Sequence, residues 1–319
     1  MPSLIRSTSK ILSHAANTSD TTFNMVIETT ADNELFTIGC HAGFTDANVD
    51  WGDGSTSAIT TYNDADLTHT YASASEHTIV ISGTTSLNMY GAANSSRLKV
   101  KRVLNFGNTG ATQLSGAFRG CENMTSFVSG NCDTSSVYNM SRMFQGCTSL
   151  TTLDVSGFDT SSVTAMNGMF QDCNDVTSLD VSGFNTSLVT NMYAMFYRCR
   201  AATAGLDVSS FDTSSVTNMQ YMFQELGTDN GASIDIIGVE NFNIEAFIFT
   251  NSLRNFMTGV AIPTARYDSL LINWDAQDPL DGLSPTFGSS QYTAGGTAAA
   301  ARANLISTDG WTITDGGTA

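Results

Sequence analysis

Residues 143–166 read MFQGCTSLTTLDVSGFDTSSVTAM, residues 169–192 read MFQDCNDVTSLDVSGFNTSLVTNM, and residues 195–219 read MFYRCRAATAGLDVSSFDTSSVTNM. Three runs this alike are an internal repeat. Phe118, Phe144, Phe170, Phe196 and Phe223 step by 26, 26, 26 and 27 residues, and the one extra residue falls between Cys199 and Leu206, where a turn absorbs it. Within a unit, Leu153 and Val155 alternate with Thr152, Asp154 and Ser156, the period-two signature of a short strand with one buried face. Phe158 and a turn follow. Asp159 or Thr160 then stands where it can cap a helical segment, because Val163, Met166, Met169 and Phe170 recur at three- and four-residue spacing. Gly146 and Asn174 mark the return turns. Each unit is therefore expected to be strand, turn, short helix, turn, one coil of a solenoid.

A single coil of this size cannot cover its own apolar side, so neighbours must stack. Nine positions per coil point inward: Leu150, Leu153, Val155, Phe158, Val163, Met166, Met169, Phe170 and Cys173 in one, Val176, Leu179, Val181, Phe184, Val189, Met192, Met195, Phe196 and Cys199 in the next. Burying each contributes about 1.5–3 kcal/mol before conformational entropy is subtracted. The methionine columns (Met140, Met166, Met192, Met219 and Met143, Met169, Met195, Met222) fill core gaps rather than bind a soft metal. Cys121, Cys147, Cys173 and Cys199 are 26 residues apart, a spacing unlike any zinc or CxxC signature, and Leu226 continues their column. They are expected to be a reduced ladder in the core.

The run LDVSGFDTSSVTAMNGMFQDC at residues 153–173 resembles the BspA-like leucine-rich repeat family of bacterial surface proteins. The likeness covers residues 111–260, with a weaker unit at Ile234, Ile236, Phe242 and Phe256, and the closing stretches YDSLLINW and AAAARANLISTDGWTITDGG resemble the C-terminal end of such proteins. The resemblance implies an adhesin or surface protein without catalytic residues.

Upstream, FNMVIET, LFTIGC and HTIVISG alternate apolar and polar residues as in a small β-sandwich. VDWGDGS followed by LTHTYASASEHTIVISG resembles the PKD-like immunoglobulin-type module, through Trp51, Gly52, Asp53, Gly54, His69, Thr70 and Tyr71. Asp50 and Asp53 are hard oxygen donors close in sequence, of the kind that holds calcium; Asp-Gly turn chemistry accounts for them equally well. His69 is expected to be a packed, hydrogen-bonded histidine. Between the two parts, SRLKVKRVLNFG places Leu98, Val100 and Val103 among Arg97, Lys99, Lys101 and Arg102, a strand with a solvated basic face that starts the solenoid.

The expected organisation is mixed α/β and multidomain: a polar arm (1–20), a PKD-like β-sandwich (21–83), a connecting strand and cap (84–110), leucine-rich-type repeats (111–260) and a C-terminal capping region (261–319). With 13 Lys and Arg against 30 Asp and Glu, a net charge of −17 repels a phosphate backbone, so nucleic acid is excluded as a partner. No apolar run approaches the roughly 20 residues that span a bilayer, and residues 1–20 carry no apolar signal-peptide core. A charged fraction of 13% leaves a surface that is polar but mostly neutral.

No HExxH, GxSxG, Walker A or GxGxxG motif occurs, and His14, His41, His69 and His77 all precede the repeat. Any hydrolase would have to use carboxylates alone. The candidate binding face is the strand-edge ladder Asp154, Asp180, Asp207 and Asp235 with Ser156, Ser182 and Ser209. Near-identical residues in successive coils suit repeated structure better than a reaction centre, which needs unlike roles at unlike positions. The expectation is therefore a non-enzymatic display or adhesion protein with no cofactor beyond a calcium candidate. A virion component of the decoration or fibre-associated kind, partnered by itself or by a capsid or tail protein, comes first. A bacterial cell-surface adhesin binding glycan or protein is the alternative, and a carboxylate-based glycan hydrolase comes last.

Overall fold

A computed structural model of the chain describes residues 21–42, 44–91, 95–231 and 233–319. The polar arm at residues 1–20 lies outside the described residues. Among the described residues the strands are β1 (Phe23–Glu28), β2 (Glu34–Thr37), β3 (Thr45–Asp50), β4 (Thr56–Ile59), β5 (Thr68–Tyr71), β6 (Glu76–Thr84), β7 (Val100–Asn105), β8 (Ser126–Val128), β9 (Thr152–Asp154), β10 (Leu206–Asp207) and β11 (Ile236–Ile237). The α-helices among the described residues are α1 (Ser96–Lys99), α2 (Thr264–Asp275) and α3 (Thr297–Ser307).

In β6, His77, Ile79 and Ile81 are buried while Glu76, Thr78 and Ser82 are exposed, as the alternation requires for a strand covered on one face. One seven-stranded sheet takes the order β4-β3-β6-β1-β7-β8-β9, and β2 pairs with β5 in a second, two-stranded sheet. The first five strands of that order pair antiparallel, and β7, β8 and β9 pair parallel. The N-terminal sheet thus runs without interruption into the first two repeats through β7. Three of the four basic residues there are paired: Lys99 meets Glu34 at 3.0 Å, Lys101 meets Glu28 at 3.1 Å and Arg102 meets Glu76 at 2.7 Å. The pairs of Lys101 and Arg102 are partly exposed and add little stability, whereas the Lys99 side chain is buried; together the three neutralise most of the basic face that the sequence displays.

The repeat itself departs from strand, turn, helix, turn. Gln113, Asn139, Ala165, Asn191 and Asn218 are joined by parallel bridges, and from each bridge the chain runs through consecutive tight turns. Alternate amides in this segment bond forward to the next coil: Arg142 N–H to Asn167 O at 2.9 Å, Phe144 N–H to Met169 O at 2.9 Å and Gly146 N–H to Gln171 O at 2.8 Å. The amides between them bond back within the coil: Met143 N–H to Met140 O at 3.3 Å, Gln145 N–H to Arg142 O at 3.2 Å and Cys147 N–H to Phe144 O at 3.1 Å. Every fourth residue is left-handed. One column is Gly116 (φ 66°), Arg142 (57°), Gly168 (62°), Ala194 (53°) and Tyr221 (60°), and another is Gly120 (73°), Gly146 (75°), Asp172 (59°), Arg198 (58°) and Glu225 (56°). An α-helix uses neither forward bonds nor positive φ.

The expected mixed α/β multidomain fold, an N-terminal β-sandwich followed by a solenoid of strand–turn–helix coils, is therefore corrected. The chain is sheet-rich with few helices, one large mixed sheet joins the N-terminal part to the first repeats, and the described residues of 112–235 contain no α-helix. The physical reason is that a staircase of turns with a left-handed residue every four positions brings side chains to one face at nearly helical spacing. Thr160, expected as a helix cap, instead donates from Oγ1 to Asn185 O at 2.9 Å and accepts from Asn185 N–H at 2.8 Å. Thr134, Thr186 and Thr213 sit in the same buried column, each donating to a carbonyl of the following coil. The strand half is discontinuous: β9 ends the large sheet, the equivalent stretch around Leu179 forms no strand, and β10 pairs only with β11.

The core is nonetheless one stack. All the inward positions named for the two central coils are buried. Phe118, Phe144, Phe170, Phe196 and Phe223 lie face to face with centroids 5.8, 5.9, 5.7 and 5.6 Å apart and planes within 13°. Cys147, Cys173 and Cys199 are free thiols, each donating to a phenylalanine carbonyl of the preceding coil at 3.1–3.2 Å. Burial pushes the Cys199 thiol up to about 12 and holds Cys147 and Cys173 well above the ordinary range, which makes the ladder inert. At the far end α2 and α3 pack together, with Tyr267, Trp274, Phe287 and Trp311 closing the stack.

Substituting two glycines tests the turn staircase against a helix. Gly168→Ala places a Cβ at φ 62° and is expected to destabilise by about 1–2 kcal/mol. Gly183→Ala, where φ is ordinary and the space open, is expected to be neutral or stabilising by up to about 1 kcal/mol. In a helix the first change would stabilise by about 1 kcal/mol instead, so its sign in urea denaturation decides between the two.

Candidate functional site

Each ladder aspartate ends a strand-like stretch two residues before a serine, and the carboxylate closes the turn. Asp154 Oδ1 accepts from the Ser156 amide at 3.0 Å and hydroxyl at 2.7 Å, Asp180 from Ser182 at 3.0 and 2.6 Å, and Asp207 from Ser209 at 2.9 and 2.6 Å. These bonds from the serine hydroxyl, then the amide, hold the Asp180 and Asp207 carboxyls below the usual carboxylate range. The serines spend their protons on these aspartates, so what faces outward is a column of acceptors. A second row repeats the device: Asp133 with Ser135, Asp159 with Ser161, Asn185 with Ser187 and Asp212 with Ser214. Asn185 serves as well as aspartate, so the turn needs an acceptor rather than a charge.

The ladder is shorter than the sequence suggests. Strand register pairs Val128 with Asp154 and Asp207 with Ile237, so the carboxylate column is bounded by apolar residues at both ends. Asp235 stands two positions off this column: its carbonyl accepts from Leu206 N–H at 3.0 Å, and its carboxylate receives Arg266 Nε at 2.9 Å. Asp235 therefore belongs to the C-terminal closure, where Arg266 also pairs with Glu240. Three like carboxylates bound in the same way offer no division into acid and base.

Asp50 and Asp53 shape the WGDG turn. Asp50 Oδ1 accepts from Gly52 N–H at 2.9 Å, and Asp53 accepts from Ser55 through Oδ1 and meets His69 Nε2 through Oδ2 at 2.7 Å. Burial raises the Asp53 carboxyl, but the bonds from Ser55 and His69 outweigh it and hold the group well below its ordinary range. His69 stacks on Trp51 at 5.0 Å and meets Tyr71 edge-on at 4.6 Å, and Tyr71 Oη donates to Trp51 O at 2.9 Å. Both Asp53 oxygens thus have protein partners, and no group of three His, Cys, Asp or Glu side chains converges as metal ligands do among the described residues.

A concavity lies elsewhere, where the N-terminal part meets the first two coils. It measures about 270 Å³ and is lined by Asn88, Tyr90, Ser115, Gly116, Arg119, Asn139, Ser141 and Arg142. None of these was singled out by sequence reasoning. The available signal is departure from the repeat: Arg119 takes the position of Gln145 and Gln171, and Arg142 that of Gly116 and Gly168.

Removal of one turn acceptor gives a pH-dependent effect with a fixed sign. Because the Asp207 carboxyl is lowered in the folded state, its stabilisation is complete above the unfolded value of about 4 and is lost as pH falls through the lower folded value. Asp207→Ala is expected to lower Tm by about 1–3 °C at pH 7, and the difference from the parent should close as pH falls through that lowered folded-state value, as read by calorimetry. Residues 112–235 match the family described as Mycoplasma protein of unknown function, DUF285. No curated protein and no solved structure matches the chain.

Proposed function

We propose that this chain is a non-enzymatic display and binding protein of a particle or cell surface, in which the turn staircase is the scaffold and its side-chain columns are the recognition face. The observation that supports it best is the equivalence of Asp154, Asp180 and Asp207: three carboxylates in the same turn with the same serine partner. Glycoside hydrolysis requires two unlike carboxylates about 5–9.5 Å apart across a cleft. Here the concavity at the head of the repeat is lined by no carboxylate.

Assembly with itself or with a capsid or tail protein, as in a virion decoration, is the first setting. A bacterial envelope adhesin related to the BspA-like proteins is the second, and it gains support from the match of the repeat to a family described from Mycoplasma. In both, the partner is a protein or a glycan, and the acidic balance of −17 argues against nucleic acid. No helix among the described residues is long and apolar enough to cross a membrane. Calcium stays a proposal without a ready site, since the Asp53 oxygens are taken by Ser55 and His69.

Quantitative mass spectrometry of purified particles, envelope fractions and cytosol from the producing cells tests this directly. The chain is expected to be enriched at least tenfold in particles or envelopes and to release no reducing sugar from polysaccharides. Concentration in the cytosol, or glycan cleavage abolished by Asp180→Asn, would contradict it.

A further inference from the structure

Thirteen Lys and Arg residues serve a chain of net charge −17, so two arginines without a carboxylate in one hollow are conspicuous. In the repeats Arg198 and Arg200 pair with Glu225, and beyond them Arg266 pairs with Asp235 and Arg302 with Asp315. Arg97, Arg119, Arg142 and Arg254 have no such partner among the described residues, and of these Arg119 and Arg142 together line the 270 Å³ concavity at the head of the repeat, whose lining holds no carboxylate. Two unpaired guanidinium groups in a shared hollow form a local positive field against a negative whole.

The rest of the hollow is organised around them. The Arg119 guanidinium lies 3.8 Å from the centre of the Tyr90 ring, a stacking contact that fixes its plane. His41 Nε2 donates to Ser115 O at 2.9 Å, which leaves Nδ1 to accept from the Asn88 amide at 3.5 Å. Asn139 Oδ1 accepts from Ser141 N–H at 2.9 Å, so the Asn139 amide nitrogen is the end not consumed by the turn. Gly116, with φ 66°, is buried and forms part of the floor of the hollow; a Cβ there would stand 3.4 Å from Asn88 Oδ1. The later coils replace these residues by Gln171, Ala194, Tyr197, Tyr221 and Gln224, so the constellation occurs at this end of the stack.

We infer that the concavity formed by Arg119, Arg142, Tyr90, Asn88 and Asn139 is a binding site for a single carboxylate-bearing sugar residue, a uronate or a sialate carried on an otherwise neutral glycan. Guanidinium groups recognise a carboxylate through paired N–H donors. The neutral amides and the tyrosine ring supply what a bare inorganic anion would leave unused, namely hydroxyl partners and an apolar ring face. The size suits one monosaccharide, and the surrounding negative charge disfavours polyanions such as sulfated glycosaminoglycans. This deepens the proposed display role by naming a ligand class and rests on that role; particle or envelope location is read by fractionation and stands or falls separately.

The experiment is a titration of the full chain, followed by NMR or calorimetry, with methyl β-glucuronide, N-acetylneuraminic acid, methyl β-glucoside, acetate and phosphate. Saturable binding of at least one acidic sugar is expected, on the order of millimolar Kd for a monosaccharide and at least tenfold tighter than the glucoside, acetate or phosphate. The glucuronide and sialic acid arms distinguish the two sources of the carboxylate. Arg119→Gln and Arg142→Gln should each weaken binding about tenfold. Arg254→Gln, four hydrogen-bonded rows beyond the Arg142 row on the same face, should leave it unchanged. Equal binding of glucoside and glucuronide, acetate or phosphate binding as tightly as the sugar, equal loss in Arg254→Gln, or no saturable binding would each overturn the assignment. Unaltered Tm in the arginine variants keeps a folding defect from imitating the expected loss.

Discussion

The constraint on which the structure depends is the division of backbone amides in the turn staircase. Alternate N–H groups are given to the next coil and the ones between are returned within the coil, to backbone carbonyls or, for Ser141, to Asn139 Oδ1, so no amide in the segment Met140–Cys147 is left without a partner. A buried amide without a partner costs about 1–3 kcal/mol, and the alternation settles the whole row at once. It also imposes a repeat length, because the forward bonds close only when equivalent residues lie opposite one another. The left-handed residue at every fourth position follows, and six of the ten such positions named above are not glycine. The strain of those residues is offset by the packing they bring into line.

Side-chain order follows from that register. Phenylalanine rings meet face to face, methionines fill the gaps beside them, thiols donate to carbonyls of the previous coil and threonines to carbonyls of the following one. On the outer surface the same register makes like residues stand in columns. A column that repeats unchanged, such as Asp154, Asp180 and Asp207, is accounted for by the turn it closes. A column that breaks, as at Arg119 and Arg142, is not, and there the chemistry of a single ligand finds room.

Much of this was legible in the sequence, and the part that was not has a definite cause. The repeat, its phase and its buried positions follow from hydrophobic identity alone, and every inward residue of the two central coils is buried. The helix did not follow, because the spacing of Val163, Met166, Met169 and Phe170 is common to a helix and to successive tight turns. Periodicity reports which side chains share a face and not where the amides bond; the glycines at 116, 120, 146 and 168 were the sign of positive φ. The sequence puts Asp235 in line with Asp207, whereas strand register puts Ile237 opposite Asp207. The arginine hollow depends on chain segments brought together only by folding, Asn88 and Tyr90 from one side and Arg119 and Arg142 from the other.

Scalar couplings across hydrogen bonds, measured by NMR on deuterated protein, test the central claim most directly. The alternating staircase predicts a correlation from the Phe170 amide nitrogen to the Met195 carbonyl carbon, 25 residues ahead, where the bond measures 3.0 Å. A correlation from Phe170 to Met166, the partner an α-helix would give it, would contradict the account.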